Sequence, residues 1–568
     1  PMTETNLEHS ELSRESLLFA EKAARSVSEV HGKVSSIPDL VIFLEILGYN
    51  DSLVAKYGFA NVLDFARYIF DSIDYFRADS ASENGAFPTT QIKSVYVRIL
   101  EALALAFPIV AMLALLMFAG ISLWMTRIFA ISITTAFLAG VFLGILVTEG
   151  SVQAFTRLFA FYYDQENYGE AKRILSRNGN FLLVALAVSV GVLLLIGVFA
   201  NIPLFLIFIS IFSTITIATH RSSYVVIYAL KKFGVLVLAY SAALITLYLS
   251  YTMTPPFFVS MINKFLTFLA HPITQETIPL PFARYFFSLL LAFLVLSIPP
   301  AYYDSKIMAI KMTSTSAKLP PFYVPMNIKE ETVSSRFGVQ LWESLPYFVF
   351  GTFFFLTVFA DRILSWIFNP FVNDFGGGLP FAFNSAYHVG ADPALAIMLL
   401  ATIASYVVMA PIYDRLTIAS SSLKVFEAGA VEDFLQKTYN QLLLVTILVA
   451  VSAAFFLNYE ALQIMKFLGG GVVSLEILRV ASIADIFLSI FFVNAMFLTL
   501  VNKIKAAALI SVVTALIVVT AGMLFALVGY QYIIWAYLIA TFVGMVASTT
   551  YCVRLRGNFS MLFFGRYI

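Results

Sequence analysis

The sequence predicts an all-α polytopic membrane protein with twelve transmembrane helices in two six-helix lobes, plus a small helical cytoplasmic module at its N-terminal end. Three observations predict it. Hydrophobic residues make up 60% of the 568 positions and charged residues only 12%, with a mean hydropathy of +0.87, more apolar surface than a single soluble core can hide. Twelve windows approach the roughly 20 apolar residues that a helix needs to cross a bilayer. Lys and Arg crowd the connections on one side of those windows.

Residues 1–95 come first and differ from the rest. They hold 8 basic and 14 acidic side chains, a balance of −6, against +7 for the remainder. Leu40, Phe43, Leu44 and Leu47, and then Val62, Phe65, Ile69, Ile73 and Phe76, recur at helical spacing, which predicts a small bundle or hairpin. Its helices either pack on the spans or dock a partner subunit. No cleavable leader is expected, because the first apolar window opens only near residue 99.

Six windows follow, at 99–122, 126–148, 180–200, 203–230, 233–252 and 285–302, and make a first lobe over 96–302. The fourth is extended to Leu230 because stopping at His220 and Arg221 would leave it too short to cross, and the extension puts Arg221 inside the membrane. A charged linker, 303–340, separates them from a second lobe, 341–568, with windows at 343–367, 394–413, 438–457, 477–501, 505–529 and 531–552. Residues such as Arg157, Lys172, Lys231, Lys306, Lys437, Lys503 and Arg554 mark one face, and Arg127, Lys264, Arg284 and Lys466 the other. Both termini and the linker are therefore expected on the cytoplasmic side of the inner (cytoplasmic) membrane.

Lobes of six spans each repeat in parallel about an axis along the membrane normal. LEALALAFPIVAMLALLMFAGISLW (100–124) aligns without gaps on WESLPYFVFGTFFFLTVFADRILSW (342–366), pairing Glu101 with Glu343 and Trp124 with Trp366. AKRILSRNGNFLLVALAVSVGVLLL (171–195) aligns on VEDFLQKTYNQLLLVTILVAVSAAF (431–455), pairing Asn180 with Asn440. In each lobe two spans, a charged amphipathic stretch and a third span follow one another.

That layout resembles the multidrug/oligosaccharidyl-lipid/polysaccharide (MOP) flippase superfamily, with FYYDQENYGEAKRILSRNGNF (161–181) similar to the linker those proteins carry between helices two and three. The aromatic run with an acid-base pair in YFVFGTFFFLTVFADRILSW (347–366) resembles its PelG-like exopolysaccharide-exporter branch. The resemblance covers about residues 96–568 and implies that the first helix of each lobe borders a central cavity. It further implies a flippase or exporter that moves an exopolysaccharide or lipid-linked saccharide by alternating access. A cation-coupled drug antiporter of the MATE kind is the alternative; such pumps use an acid within the membrane, and the first span has none between Ala102 and Trp124.

Seven residues are the candidate cavity side chains. A charge at the bilayer centre costs at least about 2.5–3.5 kcal/mol, so it should face water or a partner. Arg221 is the leading basic candidate, able to grip a phosphate or sugar hydroxyls with a fixed fork of donors or to pair with Glu149. Asp361 and Arg362 sit near the outer end of the seventh span, about 100° apart around the helix, so they need not pair; Arg362 either snorkels to the outer headgroups or lines the cavity. On that reading Arg221→Ala and Arg362→Ala both leave thermal stability near that of the parent. Glu101 and Glu343, at the starts of the first and seventh spans, either complement helix dipoles or line the cavity. Asp485, in the middle of the tenth span, either bonds a neighbouring helix or meets the cavity.

Enzymatic chemistry is not expected. No HExxH, GxSxG, GxxxxGK[ST] or CxxC string occurs, both GGG runs lie in outer connections, and the five His residues and single Cys552 define no metal constellation, so no cofactor is expected. The expected partners are a saccharide or polysaccharide substrate, the lipid bilayer, and a cytoplasmic glycosyltransferase or membrane scaffold subunit on the acidic module. No nucleic acid is expected.

Overall fold

In the computed structural model the described residues are 14–31, 37–72, 95–123, 129–164, 167–270, 280–310, 337–372, 379–422 and 428–559. They divide into an N-terminal unit and a unit that holds every span.

The N-terminal unit has four helices: α1 (Arg14–His31), α2 (Ile37–Ile46), α3 (Asp51–Ala55) and α4 (Val62–Ser72). Ala20, Ala23, Ala24 and Val27 of α1 form one buried stripe that meets Leu40 and Leu44 of α2 and Val62, Phe65 and Ile69 of α4, the positions expected from helical spacing. Ile73 and Phe76 lie outside the described residues. Phe19 stacks on Tyr57 with ring centroids 3.8 Å apart. Asn50 caps α3 by accepting from the Leu53 amide at 2.9 Å, and Asp51 accepts from the Val62 amide at 2.8 Å, which ties α3 to the start of α4.

The other unit is a multi-pass membrane fold. Its twelve spans, numbered in order, are Val95–Ala119, Ile131–Asp164, Tyr168–Phe199, Leu204–Ser223 continued by Val225–Ala229, Phe233–Met253, Leu280–Ala309, Phe337–Ile367, Ser385–Ala391 continued by Leu395–Ser422, Ala428–Tyr459, Val472–Leu500, Ile504–Ala526 and Ile533–Arg554. The count and the extension of the fourth span agree with the sequence reading. Two boundaries do not. The charged stretch at 161–181 is no separate linker: the second and third helices run for 34 and 32 residues, about 50 Å at 1.5 Å per residue, and carry those charges past the bilayer on their own ends. The expected linker 303–340 is shortened from both sides, by a sixth helix that continues to Ala309 and a seventh that begins at Phe337; 311–336 lies outside the described residues.

The repeat reaches into helix boundaries and packing. The alignment that pairs Asn180 with Asn440 also pairs Phe199 with Tyr459, the last residues of the third and ninth spans. Two residues before the fifth span Lys231 adopts a left-handed backbone, φ 53°, and two residues before the eleventh Asn502 does the same, φ 60°. In the first lobe the second span packs on the third and fourth, the fifth on the first and sixth; in the second lobe the eighth packs on the ninth and tenth, the eleventh on the seventh and twelfth.

Small residues and hydroxyls set these approaches, since lipid gives helices no hydrophobic reason to associate. Ser210 of the fourth span donates to the Ala136 carbonyl at 2.8 Å and Thr214 to that of Gly140 at 3.1 Å, where a side chain on Gly140 would collide with the fourth-span backbone. The second lobe repeats the device with Ser474, which donates to the Ala386 carbonyl at 2.8 Å beside Gly390.

Candidate functional site

The lobes meet at two seams related by the repeat, the second span against the seventh and the first against the eighth. The second–seventh seam has contacts along its whole length. At one end Phe142 packs on Phe359 and Trp366 with centroids 5.1 and 5.3 Å apart, and the amide of Phe383, in the connection after the seventh span, donates to the Thr135 hydroxyl at 2.8 Å. In the middle a side chain on Gly351 would come within 2.9 Å of Gln153, so the two backbones approach closely. At the basic face Arg157 lies 4.4 Å over the Tyr347 ring, and buried Gln340 bonds Tyr162 at 2.9 Å, Glu170 at 3.4 Å and Arg177. On the first–eighth seam Tyr406 donates to Glu101 at 3.4 Å, also toward the basic face.

Arg221 and Glu149 come together. The guanidinium Nη2 of Arg221, in the fourth span, donates to Glu149 Oε2 in the second, and Gln153 donates to the other carboxylate oxygen at 3.1 Å. The side chains keep 24% and 18% exposure, and the buried Arg221 Nε has no hydrogen-bond partner. The Glu149 carbonyl lies beside Gly351, which puts the pair next to the inter-lobe seam.

Asp361 and Arg362 do pair, and Arg362 does not snorkel: both have no exposure. The Arg362 side chain turns back along its own helix, with Nη1 donating to the Val358 carbonyl at 2.9 Å and to Asp361 Oδ1 at 3.0 Å. Its Nε donates to Asp392 at 2.8 Å and its Nη2 to the Ala391 carbonyl at 3.0 Å, at the point where Asp392-Pro393 interrupts the eighth span. The break supplies a free carboxylate and carbonyl at the depth of the guanidinium, and the headgroups offer no better partner. Tyr387 donates to Asp361 at 2.8 Å. Trp366 donates its indole N–H to His388 Nε2 at 2.8 Å; since that nitrogen must accept, His388 is neutral and its Nδ1–H donates to Asp392 at 2.8 Å.

Asp485 joins the same cluster through Tyr537, whose hydroxyl donates to Asp485 Oδ1 at 2.5 Å and whose ring lies 5.8 Å from the Arg362 guanidinium. Asp485 is fully buried and its Oδ2 has no partner. One guanidinium thus faces three carboxylates. In this conformation Asp361, Arg362 and Asp485 form the interior of the second lobe and border no open cavity.

The remaining two acids are not helix-start residues. Glu101 and Glu343 each lie six residues beyond the start of their helices, past the first turn where the dipole acts. Glu101 meets Tyr406, and Glu343 is exposed. Sequence reasoning missed Asp392, His388, Tyr387, Tyr537, Gln153 and Gln340. The Asp-Pro step inside an apolar helix was the available signal for Asp392; the others are ordinary residues until the fold brings them to a charge. Among the described residues no group of three or more His, Cys, Asp or Glu side chains could hold a metal ion.

No family model matches the sequence and no curated protein does. Solved structures do match. The chain is similar to MATE in complex with MaD5, with a TM-score of 0.53 at 12% identity over 83% of this chain and 99% of that one. MATE in its straight conformation gives 0.52 at 12% identity, and in its bent conformation 0.52 at 13%, with the same coverage. The fold is that of these transporters.

Proposed function

We propose that this protein is an inner-membrane flippase or exporter of the MOP superfamily, of the PelG-like exopolysaccharide branch. It carries an exopolysaccharide or lipid-linked saccharide outward by alternating access of its two lobes. The observation that carries the reading is the partly exposed Arg221–Glu149 pair beside the inter-lobe seam. A guanidinium already held by one carboxylate but with a free Nε can exchange that partner for a phosphate, a uronate or sugar hydroxyls without becoming unpaired. The MATE-like fold supports the mode of movement, and the acidic module is the surface for a cytoplasmic glycosyltransferase or scaffold subunit.

The test is secreted polymer per unit of membrane-inserted protein. Arg221→Ala should lower it at least about tenfold, the value of one charge-assisted hydrogen bond, with membrane insertion unchanged, and Arg221→Lys should restore only part. Normal secretion by Arg221→Ala overturns the reading.

A second reading, a cation-coupled antiporter, is favoured by one observation: Asp485 is buried with a free oxygen in a cluster of three acids and one guanidinium. A proton on Asp485 would remove a buried charge whose second oxygen has no donor. Asp485→Asn with unchanged dependence of transport on the proton gradient overturns it.

A further inference from the structure

The connection between the fifth and sixth spans holds a helix that is not a span. The fifth span starts beside Lys231 and Lys232 on the basic face and ends at Met253 on the opposite side, where the sixth begins at Leu280. Pro255 and Pro256 have no N–H with which to continue the fifth helix, so the chain turns and a separate helix runs from Pro256 to Ala270. Its 15 residues are too few to cross a bilayer, and both its ends are tied to one side of it.

Around its axis this connecting helix has three sides. Val259, fully buried, and Ile262 pack into the apolar core that holds Leu206, Leu247 and Phe286. Phe258 and Met261 lie about 60° apart on a second side, with Phe257 at its margin; their exposures are 44%, 54% and 73%. Ser260 and Lys264, both exposed, lie about 40° apart on a third side. A helix on a soluble surface needs one apolar side, and this one has two besides its polar side.

The second apolar side points along the spans. Phe258 stacks on Phe287 of the sixth span, with ring centroids 6.3 Å apart and planes 11° apart. Leu290, Leu294 and Ile298 follow Phe287 at helical spacing and are exposed, so they form a lipid-facing stripe of that span. Phe258 tops the stripe at its end away from the basic face. The exposed apolar side of the connecting helix therefore continues a surface that lipid already covers.

We propose that Pro256–Ala270 is a lipid-docking helix, lying along the headgroup–acyl boundary of the leaflet opposite the basic face. Phe258 and Met261 enter the acyl zone, Phe257 lies at the rim, and Ser260 and Lys264 stay at headgroup level. Apolar and polar sides about a third of a turn apart suit a helix that rests in the membrane plane. The contact holds the first lobe at a fixed depth in that leaflet, whatever the chain transports.

The full chain in phosphatidylcholine vesicles tests this with a nitroxide at one of five cysteines: Phe257→Cys, Phe258→Cys, Ser260→Cys, Met261→Cys or Lys264→Cys. Native Cys552 is replaced by Ser. Collisions with oxygen, which concentrates among acyl chains, are compared with those of a water-soluble nickel chelate. Oxygen should lead at Phe258 and Met261, nickel at Ser260 and Lys264, and Phe257 should fall between. Nickel leading at all five places the helix in water and overturns the proposal. Labels at Phe258 and Met261 that meet neither reagent show protein over this side, a second copy or a partner, and overturn it too. Photolabelling of the unsubstituted chain is a second measure, free of any folding change. A diazirine on the lipid acyl chain should mark Phe257, Phe258 or Met261, and a water-soluble diazirine Ser260 or Lys264. No acyl-chain adduct within 256–264 overturns the proposal.

Discussion

Removing Arg362 should unfold the second lobe before it affects transport, contrary to the near-parental stability that the sequence alone suggests. Its guanidinium is fully buried, bonded to Asp361, Asp392 and the carbonyls of Val358 and Ala391. Arg362→Ala leaves Asp361 charged in the interior with only the Tyr387 hydroxyl, and loss of one member of a buried pair costs about 3–5 kcal/mol. Arg362→Lys keeps the charge but cannot span both carboxylates with one ammonium, so it should lose at least one charge-assisted bond, about 1.5–3 kcal/mol. Asp361→Asn with Arg362→Met removes both charges at similar volume. Asp392 keeps its His388 donor in that variant, which should recover most of the loss.

The assay is detergent melting of the four proteins, with membrane-inserted protein measured in parallel. The expected order is parent, then the double variant, then Arg362→Lys, then Arg362→Ala. Arg362→Ala melting with the parent would refute the account of a buried ionic tie. A double variant no more stable than Arg362→Ala would show that the loss comes from the Asp392 and backbone contacts and not from a stranded Asp361.

Gln340 is the buried link between Tyr162, Glu170 and Arg177, so Gln340→Ala should loosen the lobes at the basic face. Spin labels at Arg173→Cys and Gly338→Cys should then gain a longer-distance population, and an unchanged distribution counts against a clasp. Orientation is open to thiol labelling with little background because native Cys552 is buried. Lys466→Cys should react from outside and Lys437→Cys only after permeabilisation, and the reverse would invert the topology. Deleting residues 1–85 should leave the membrane unit folded and remove a co-purifying cytoplasmic glycosyltransferase or scaffold; export and co-purification that both survive would reduce the module to packing.

Depth in the bilayer is what the sequence displayed, and rotation about each helix is what it hid. Apolar run length fixes where a span crosses, so twelve spans and the lengthened fourth were legible, as were the buried stripes of α2 and α4. Run length also explains how an alignment with few identities still matches helix ends at Phe199 and Tyr459: bilayer thickness constrains length while lipid-facing side chains drift. The partner of a buried charge has no such signal. Arg362 chose Asp392 over the outer headgroups because an Asp-Pro step thirty residues away opens the eighth helix at the right depth, which looks like a connection in sequence. The tie between the fourth and sixth spans was equally hidden, since the Tyr224 hydroxyl meets the Leu296 carbonyl, which Pro300 cannot serve, only in the fold. The repeat keeps seam geometry but places a partly exposed ion pair in one lobe and a fully buried ion cluster in the other. Variants of the exposed pair, Arg221 and Glu149, should therefore change transport before stability, and variants of the buried cluster around Arg362 should change stability first.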